Sequence, residues 1–200
     1  MTRNFWVSAL VGTTTLLAAC ATQDEPKVES VDQSSNVHLK GGAHAKPSFV
    51  DGGLTLAASG ELAGLGDEDI LVTLSATGNP TATCTNPAGA TQPPGHNPAS
   101  VTVTGSTAIP AEKIKNGNVA FSVTTEPPVS PIPDAPDCPN PQWTEAITGV
   151  SFTSAIITIM QPPPPPPPAP GTVVLTVSCT FSPATSNGAV TVSTVTCTSS

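Results

Sequence analysis

Few side chains in this sequence have types and spacings that could do chemistry. The tightest cluster is the acidic run Asp67-Glu68-Asp69, which lies between a glycine and an apolar stretch. Carboxylates on a loop are ligands that calcium prefers, so these three residues are weak candidates for a calcium site. The twelve-residue calcium loop with its central glycine is absent, and acids before a strand more often protect a sheet edge. We therefore expect no metal site.

The other groups that could catalyse a reaction lack partners. His38 and His44 lie in a polar stretch, and His96 lies in the turn-rich run 93–98. A general base needs a rigid scaffold and a hydrogen-bonded partner, which these positions do not offer. No serine stands in a Gly-x-Ser-x-Gly motif, and the sequence has no complete dinucleotide-binding or phosphate-binding loop. The sequence therefore predicts no catalytic residue, no cofactor and no enzymatic activity.

Four cysteines in the body of the chain form an even set: Cys84, Cys138, Cys179 and Cys197. In an exported chain such a set predicts two disulfides. Zinc is disfavoured because no pair has Cys-x-x-Cys spacing. Cys84 and Cys138 both precede an Asn-Pro turn, which favours pairing them and leaves Cys179 for Cys197. That second bridge requires the C-terminus to curl back; if the C-terminus pairs as a strand, Cys84 with Cys179 becomes the better assignment.

Short alternations of apolar and polar residues predict the strands that position these groups. Gly78-Asn79-Pro80 is expected to break the first clear run, and a bulge near Ser193 would explain a parity change in the last. Seven or eight strands without a convincing helix predict an all-β antiparallel β-sandwich, immunoglobulin-like in the broad sense but without the cysteine and tryptophan spacing of true immunoglobulin domains. The predicted strands lie at 54–58, 70–76, 101–104, 119–124, 150–160, 173–181 and 190–197.

Two proline-rich segments, 126–141 and 162–170, are expected to be loops of this sandwich. The second is a stiff polyproline rod, interpreted as a connection between strands. A Cys84–Cys138 bridge would bring the loops at 93–98 and 136–143 together, which makes Trp143, His96 and Asn97 a candidate binding patch. Trp143 would be the anchor residue, because it offers a large apolar area with few rotatable bonds. The alternative is that Trp143 is the largest residue of the core.

Composition and charge restrict the partners. The chain has 14 acidic and 6 basic residues and a net charge of -8, which excludes nucleic acid as a ligand. Its 24 prolines and 16 glycines disfavour helical bundles. A glycan or a protein of the cell envelope is the expected partner.

The N-terminal residues are expected to direct export. Residues 1–19 combine one arginine with an uncharged, mostly apolar stretch that is shorter than the roughly 20 residues of a spanning helix, as in a signal peptide. The stretch ends in Leu17-Ala18-Ala19-Cys20, which resembles the lipobox of bacterial lipoprotein precursors. That resemblance implies cleavage before Cys20 and attachment of diacylglycerol and palmitate there, so the partner of the N-terminus is a membrane.

The same resemblance implies where the protein resides. Ala21 replaces the aspartate that retains some lipoproteins at the inner membrane, so the outer membrane or cell surface is expected. Residues 20–47 are interpreted as the lipidated N-terminus with a disordered tether, because they contain few large apolar residues. The sandwich is expected to span 48–200.

The body of the chain also resembles uncharacterised extracytoplasmic bacterial β proteins. Its Cys-Thr-Asn-Pro segment at 84–87 and its Pro-Gly-x-Asn-Pro segment at 94–98 carry that resemblance, which implies no activity. The expected function is non-catalytic binding or adhesion by a lipid-anchored protein of the cell envelope. A structural spacer without a specific ligand is the alternative, and an enzyme of unknown class is a more distant one.

Overall fold

Two antiparallel sheets make up the fold in a computed structural model, which describes residues 36–42, 44–162 and 171–200. The predicted signal peptide, Cys20 and most of the polyproline segment lie outside these residues. Short 3-10 turns occur at Ala111–Lys113 and Val192–Thr194. In chain order the strands are β1 (His38–Leu39), β2 (Ser48–Asp51), β3 (Leu56–Ala63), β4 (Ile70–Thr85), β5 (Thr91–Gln92), β6 (Val101–Ile109), β7 (Val119–Thr124), β8 (Thr144–Gln161), β9 (Thr172–Phe181), β10 (Gly188–Ala189) and β11 (Val195–Ser199).

The strands divide into sheet A and sheet B. In sheet A, β3 has β7 on one side and β1 and β2 on the other, and β10 pairs with β2. In sheet B the order is β11-β9-β8-β4, with β5 and β6 sharing the remaining side of β4. The predicted all-β antiparallel sandwich is confirmed. The strand count exceeds the seven predicted ranges because β2 has four residues and β1, β5 and β10 have two each, too few to show a clear alternation.

The hydrophobic core lies between the two sheets and is built from the inward positions of the long strands. On β8 the side chains of Phe152, Ile157 and Ile159 are 0% exposed. Burying a side chain of this size stabilises the fold by about 1.5–3 kcal/mol. Phe49 of sheet A meets Phe181 of sheet B edge to face, with ring centroids 5.0 Å apart. These contacts join the layers.

Buried hydrogen bonds also join the sheets. Asp51 at the end of β2 is 2% exposed. Its Oδ1 accepts the Gly53 N–H at 2.7 Å, and its Oδ2 accepts the Thr185 hydroxyl at 2.5 Å. The Thr185 oxygen in turn accepts the N–H of Phe152 at 2.9 Å. A loop after β9 is thereby fastened to one strand of each sheet.

The predicted strand break at Gly78-Asn79-Pro80 is wrong. Strand β4 continues through this segment, with register shifts against β8 on either side of it. Pro80 lies where β4 has left β6 and has not reached β5, an edge-like position at which proline is tolerated. A side chain at position 78 would place its Cβ 2.7 Å from the Ser151 carbonyl oxygen, so glycine is required there.

The sandwich begins earlier than the predicted boundary at residue 48. His38–Leu39 pair with β3, and the flanking Val37 and Leu39 side chains are 7% and 5% exposed. Interpreting residues 36–42 and 44–47 as part of a disordered tether was therefore wrong. Two apolar side chains in a polar stretch gave too short a pattern to predict a strand.

The connection from β9 to β11 also differs from expectation. Gly188–Ala189 pair with β2 in sheet A, and the 3-10 turn Val192–Thr194 then leads into β11 of sheet B. The predicted bulge near Ser193 is wrong, because this turn causes the parity change.

The outer face of sheet B carries three rows of side chains, each crossing five strands. Ile156 is the single position among the fifteen without a hydroxyl group. Thr has high strand propensity and a restricted χ1, so such rows are well ordered. The rows are Ser106-Thr73-Thr158-Thr176-Ser200, Thr104-Ser75-Ile156-Ser178-Thr198 and Thr102-Thr77-Ser154-Thr180-Thr196.

Candidate binding site at the bridged loop end

The structure has two disulfides, and both predicted pairings are confirmed. Cys84 bridges Cys138 with a Cα–Cα distance of 5.7 Å, and Cys179 bridges Cys197 at 4.1 Å. The expectation that the second bridge requires the C-terminus to curl back was wrong. β11 pairs with β9 and places Cys197 directly opposite Cys179, because the excursion through sheet A lengthens the connection and changes the register.

The first disulfide brings two proline-rich loops together at one end of sheet B. We call residues 86–98 and 127–143 the loop end. Besides the bridge, the Gly95 N–H donates to the Asp137 carbonyl oxygen at 2.8 Å. The His96 Nδ1 lies 3.7 Å from the Asp137 carboxylate. The predicted proximity of these loops is confirmed.

The residues of the candidate binding patch are accessible. Trp143 is half-buried and lies outside the hydrophobic core cluster, so its interpretation as the largest core residue is wrong. The backbone N–H of Trp143 donates to the Asn140 carbonyl oxygen at 3.1 Å, which closes a turn before β8. His96 and Asn97 are exposed on the neighbouring loop. Trp143 is thus partly accessible at this end of the sandwich.

An apolar groove of about 380 Å³ lies at the loop end. Val129 on its rim is 82% exposed, an unusual exposure for a side chain of this kind. None of the lining side chains is charged. The groove is lined by Pro98, Val101, Thr102, Pro128, Val129, Ile132, Pro133 and Ile147.

Hydrogen bonds to β8 hold this groove in shape. The Ile132 N–H donates to the Glu145 carbonyl oxygen at 2.7 Å, and the Ile147 N–H donates to the Ser130 hydroxyl oxygen at 3.0 Å. The prolines of the loop have a fixed φ, which further restricts the backbone. A groove that is rigid before binding loses little conformational entropy when it is filled.

Glu145 is an unusual residue beneath the loop end. Its side chain is 0% exposed, and its Oε2 accepts only a long hydrogen bond of 3.4 Å from the Asp137 N–H. Its Oε1 has no donor among the residues that the structure describes. Buried polar atoms are nearly always paired, so this unpaired acceptor is an exception to the usual pattern. The parity of β8, which places Glu145 on the same face as the buried Ile147, was the available sequence signal.

The weak calcium candidates do not converge. Asp67, Glu68 and Asp69 are exposed in the loop between β3 and β4, and the Asp69 Oδ1 accepts the Ala111 N–H at 2.8 Å. Within the described ranges, no group of three or more His, Cys, Asp or Glu side chains could hold a metal ion. The carboxylate of Asp69 instead fastens the start of a 3-10 turn.

The fold and the loop end define a disulfide-bridged all-β sandwich with an apolar groove at one end. Comparison of the chain with protein-family models, curated proteins and solved structures found no match. In the part of the chain that the structure covers, no helix has the length and hydropathy needed to cross a membrane. The resemblances of residues 17–20 to a lipobox and of the body to extracytoplasmic β proteins stay predictions.

Proposed function

We propose that the protein is a non-catalytic, lipid-anchored binding module of the bacterial cell envelope, whose loop end contacts another envelope protein. The exposed Val129 beside a proline-lined groove is the observation that carries this proposal. Single exposed apolar side chains are common, but a contiguous apolar surface such as the one Val129 forms with the groove is typical of interaction sites. Because the groove is apolar and uncharged, an apolar segment of a protein fits it better than a glycan does.

The surroundings of the groove support this function. The Cys84–Cys138 bridge and the hydrogen bonds to β8 restrict both loops, so a ligand would meet a preformed surface. Trp143 supplies an aromatic side chain at the same end, and such side chains contribute much of the binding energy in protein interfaces. A module of this kind needs only to be held near its partner, which the proposed lipid on Cys20 would do.

Changing Cys20 to serine is expected to release the protein from membranes, since serine offers no thiol for diacylglycerol. Cells would be labelled with an alkyne analogue of palmitate, and membrane and soluble fractions compared for wild type and Cys20→Ser. The wild type should be labelled and sediment with membranes, whereas the variant should be unlabelled. Equal labelling of the two proteins would contradict the anchor, and an outer-membrane fraction without the wild type would contradict its location.

Val129→Asp is expected to weaken partner binding at least tenfold, because a carboxylate in an apolar contact loses its hydration (about 1.4 kcal/mol per tenfold). A photo-crosslinking amino acid at position 129 would first trap the partner in cells, and mass spectrometry would identify it. The photo-crosslinking amino acid at position 50 serves as the matched control, since Val50 is 48% exposed on sheet A. Affinity for the purified partner would then be measured for wild type, Val129→Asp and Val50→Asp.

The proposal requires an envelope protein trapped at position 129 and not at position 50. It also requires that Val129→Asp keep the thermal midpoint of the wild type, because the side chain is exposed. Identical crosslinks at both positions, or equal affinities of the Val129→Asp and Val50→Asp proteins, would remove the groove as the contact surface.

A further inference from the structure

Strand β11 forms an edge of sheet B that has unused backbone hydrogen-bonding groups. Among the described residues, it pairs with β9 on one side and with no strand on the other. Ser200 and Thr176 exchange both backbone hydrogen bonds, at 2.8 and 2.9 Å. Hydrogen-bonded pairs alternate with non-hydrogen-bonded pairs along antiparallel strands. Because Ser200 is in a hydrogen-bonded pair, Ser199 and Cys197 are in non-hydrogen-bonded pairs and direct their N–H and C=O groups away from β9. No backbone bond from another described residue reaches them.

The sequence of β11 itself lacks the residues that commonly protect edge strands. Val195–Ser199 contains no charged residue and no proline, and its pairing with β9 shows no register shift. Such an edge is a template for another strand. The Lys46 ammonium donates to the Val195 carbonyl oxygen and therefore covers one end of the edge. The outward groups of Cys197 and Ser199 lie beyond that contact.

A groove runs beside these open groups. One part, of about 470 Å³, has residues 44–46 as one wall and residues 197–199 as the other. A second part, of about 310 Å³, shares Ala45 and Ser199 with the first and continues past Asn36, His38, Leu39 and Gly42. Because residues 44–46 face the strand edge, they obstruct the approach of another sandwich, whereas a single extended chain is a smaller ligand.

The charges that line this groove differ from those of the whole chain. With histidines counted as neutral, Lys46 is the charged side chain among the described lining residues, whereas the full chain has a net charge of -8 on the same count; His38 and His44 add ring nitrogens to the same wall. Opposite charges at a contact raise association rates and select partners. The groove is therefore complementary to an extended segment that carries carboxylates.

We propose that the edge of β11 binds an extended acidic peptide segment of a partner protein by β-strand addition. The peptide backbone forms hydrogen bonds with Cys197 and Ser199, and a carboxylate of the peptide pairs with Lys46. Affinity then comes mainly from backbone hydrogen bonds, and the basic wall supplies selectivity. This site shares no residue with the loop end, so it is a second binding site.

Two variants at one position test the backbone contact. Ser199→Ala removes the side chain and keeps the outward N–H, whereas Ser199→Pro removes that N–H. The probe is a short fluorescein-labelled peptide of alternating valine and glutamate, measured by fluorescence anisotropy. Ser199→Ala should bind it like the wild type, and Ser199→Pro should bind it about tenfold more weakly, the effect of roughly one hydrogen bond. Lys46→Glu should weaken binding about fivefold.

A second form of the probe makes the test independent of protein folding. The same peptide, N-methylated at alternate residues on the side facing β11, should bind the wild-type protein at least about tenfold more weakly. Val129→Asp should leave binding of the unmodified probe unchanged, which separates this site from the loop end. Failure of the unmodified probe to bind, or equal binding of the N-methylated probe, would overturn the proposal. Dimers of the wild type that Ser199→Pro abolishes would likewise overturn it, because the edge would then pair with a second copy.

Discussion

Replacing Cys84 and Cys138 together with serine is expected to lower the free energy of unfolding by about 4 kcal/mol. The bridge closes a long segment of chain, with a sequence separation of 54, and so removes much conformational freedom from the unfolded state. It also fastens the loop that covers the buried Glu145 and forms one side of the groove. We expect the double variant to lose stability and partner binding together, as measured by urea unfolding and by affinity for the crosslinked partner.

The second disulfide provides the matched control. Cys179→Ser with Cys197→Ser removes a bridge of sequence separation 18, for which the same dependence on loop length gives about 3 kcal/mol. Because β9 and β11 stay paired through backbone hydrogen bonds, this variant should keep its affinity for the partner at the loop end under all conditions in which it is folded. A larger stability loss for this pair than for Cys84 and Cys138, or an equal loss of affinity, would contradict the role given to the first bridge.

Gly105→Ala is expected to destabilise the fold by about 4 kcal/mol, an exceptional effect for the addition of one methyl group. Gly105 lies on β6, where sheet B meets β7 of sheet A. A Cβ at this position would be 1.9 Å from the Thr124 carbonyl oxygen, and that oxygen belongs to backbone that cannot rotate away. Next to Gly105, the Glu126 N–H donates to the Thr104 carbonyl oxygen at 2.8 Å. Moving β6 away from the end of β7 would break this hydrogen bond.

Gly149→Ala is the control for this substitution. Its added Cβ would meet the Gly53 carbonyl oxygen at 4.0 Å, an ordinary van der Waals contact. Its cost should stay below about 1 kcal/mol, the usual range of tolerated surface changes. Thermal and urea unfolding of both variants would compare them. Similar stabilities would show that β6 and β7 separate without cost.

Regular alternation over several residues predicted the long strands, since inward Val, Ile and Leu must be buried whichever strand lies beside them. β9 illustrates this, because its buried Leu175, Val177, Cys179 and Phe181 are also its alternating apolar residues. The disulfide pairing was predictable in part, since the turns that follow Cys84 and Cys138 were readable. The register that places Cys197 opposite Cys179 depends on a detour through the other sheet, which no local pattern encodes.

The candidate site was only partly predictable for the same reason. Trp143 and the proline-rich loops beside it were predictable, because proline and a cysteine-linked turn have local signatures. The groove was not, since its Pro98, Val129 and Ile147 come from distant points of the chain and meet only after folding. The groove at the edge of β11 was not predictable either, because one of its walls comes from residues 36–47, which were interpreted as a tether.

The hydroxyl rows of sheet B affect how the hydration of the protein surface depends on ionic strength. Ser and Thr side chains are hydrated through uncharged hydroxyl groups. The fifteen positions of these rows carry no charge, so dissolved ions have no electrostatic interaction to screen there. The acidic groups of the chain lie elsewhere, and their mutual repulsion weakens as ionic strength rises. The hydration of this face of sheet B is therefore expected to depend little on ionic strength, whereas interactions among the charged groups elsewhere depend on it.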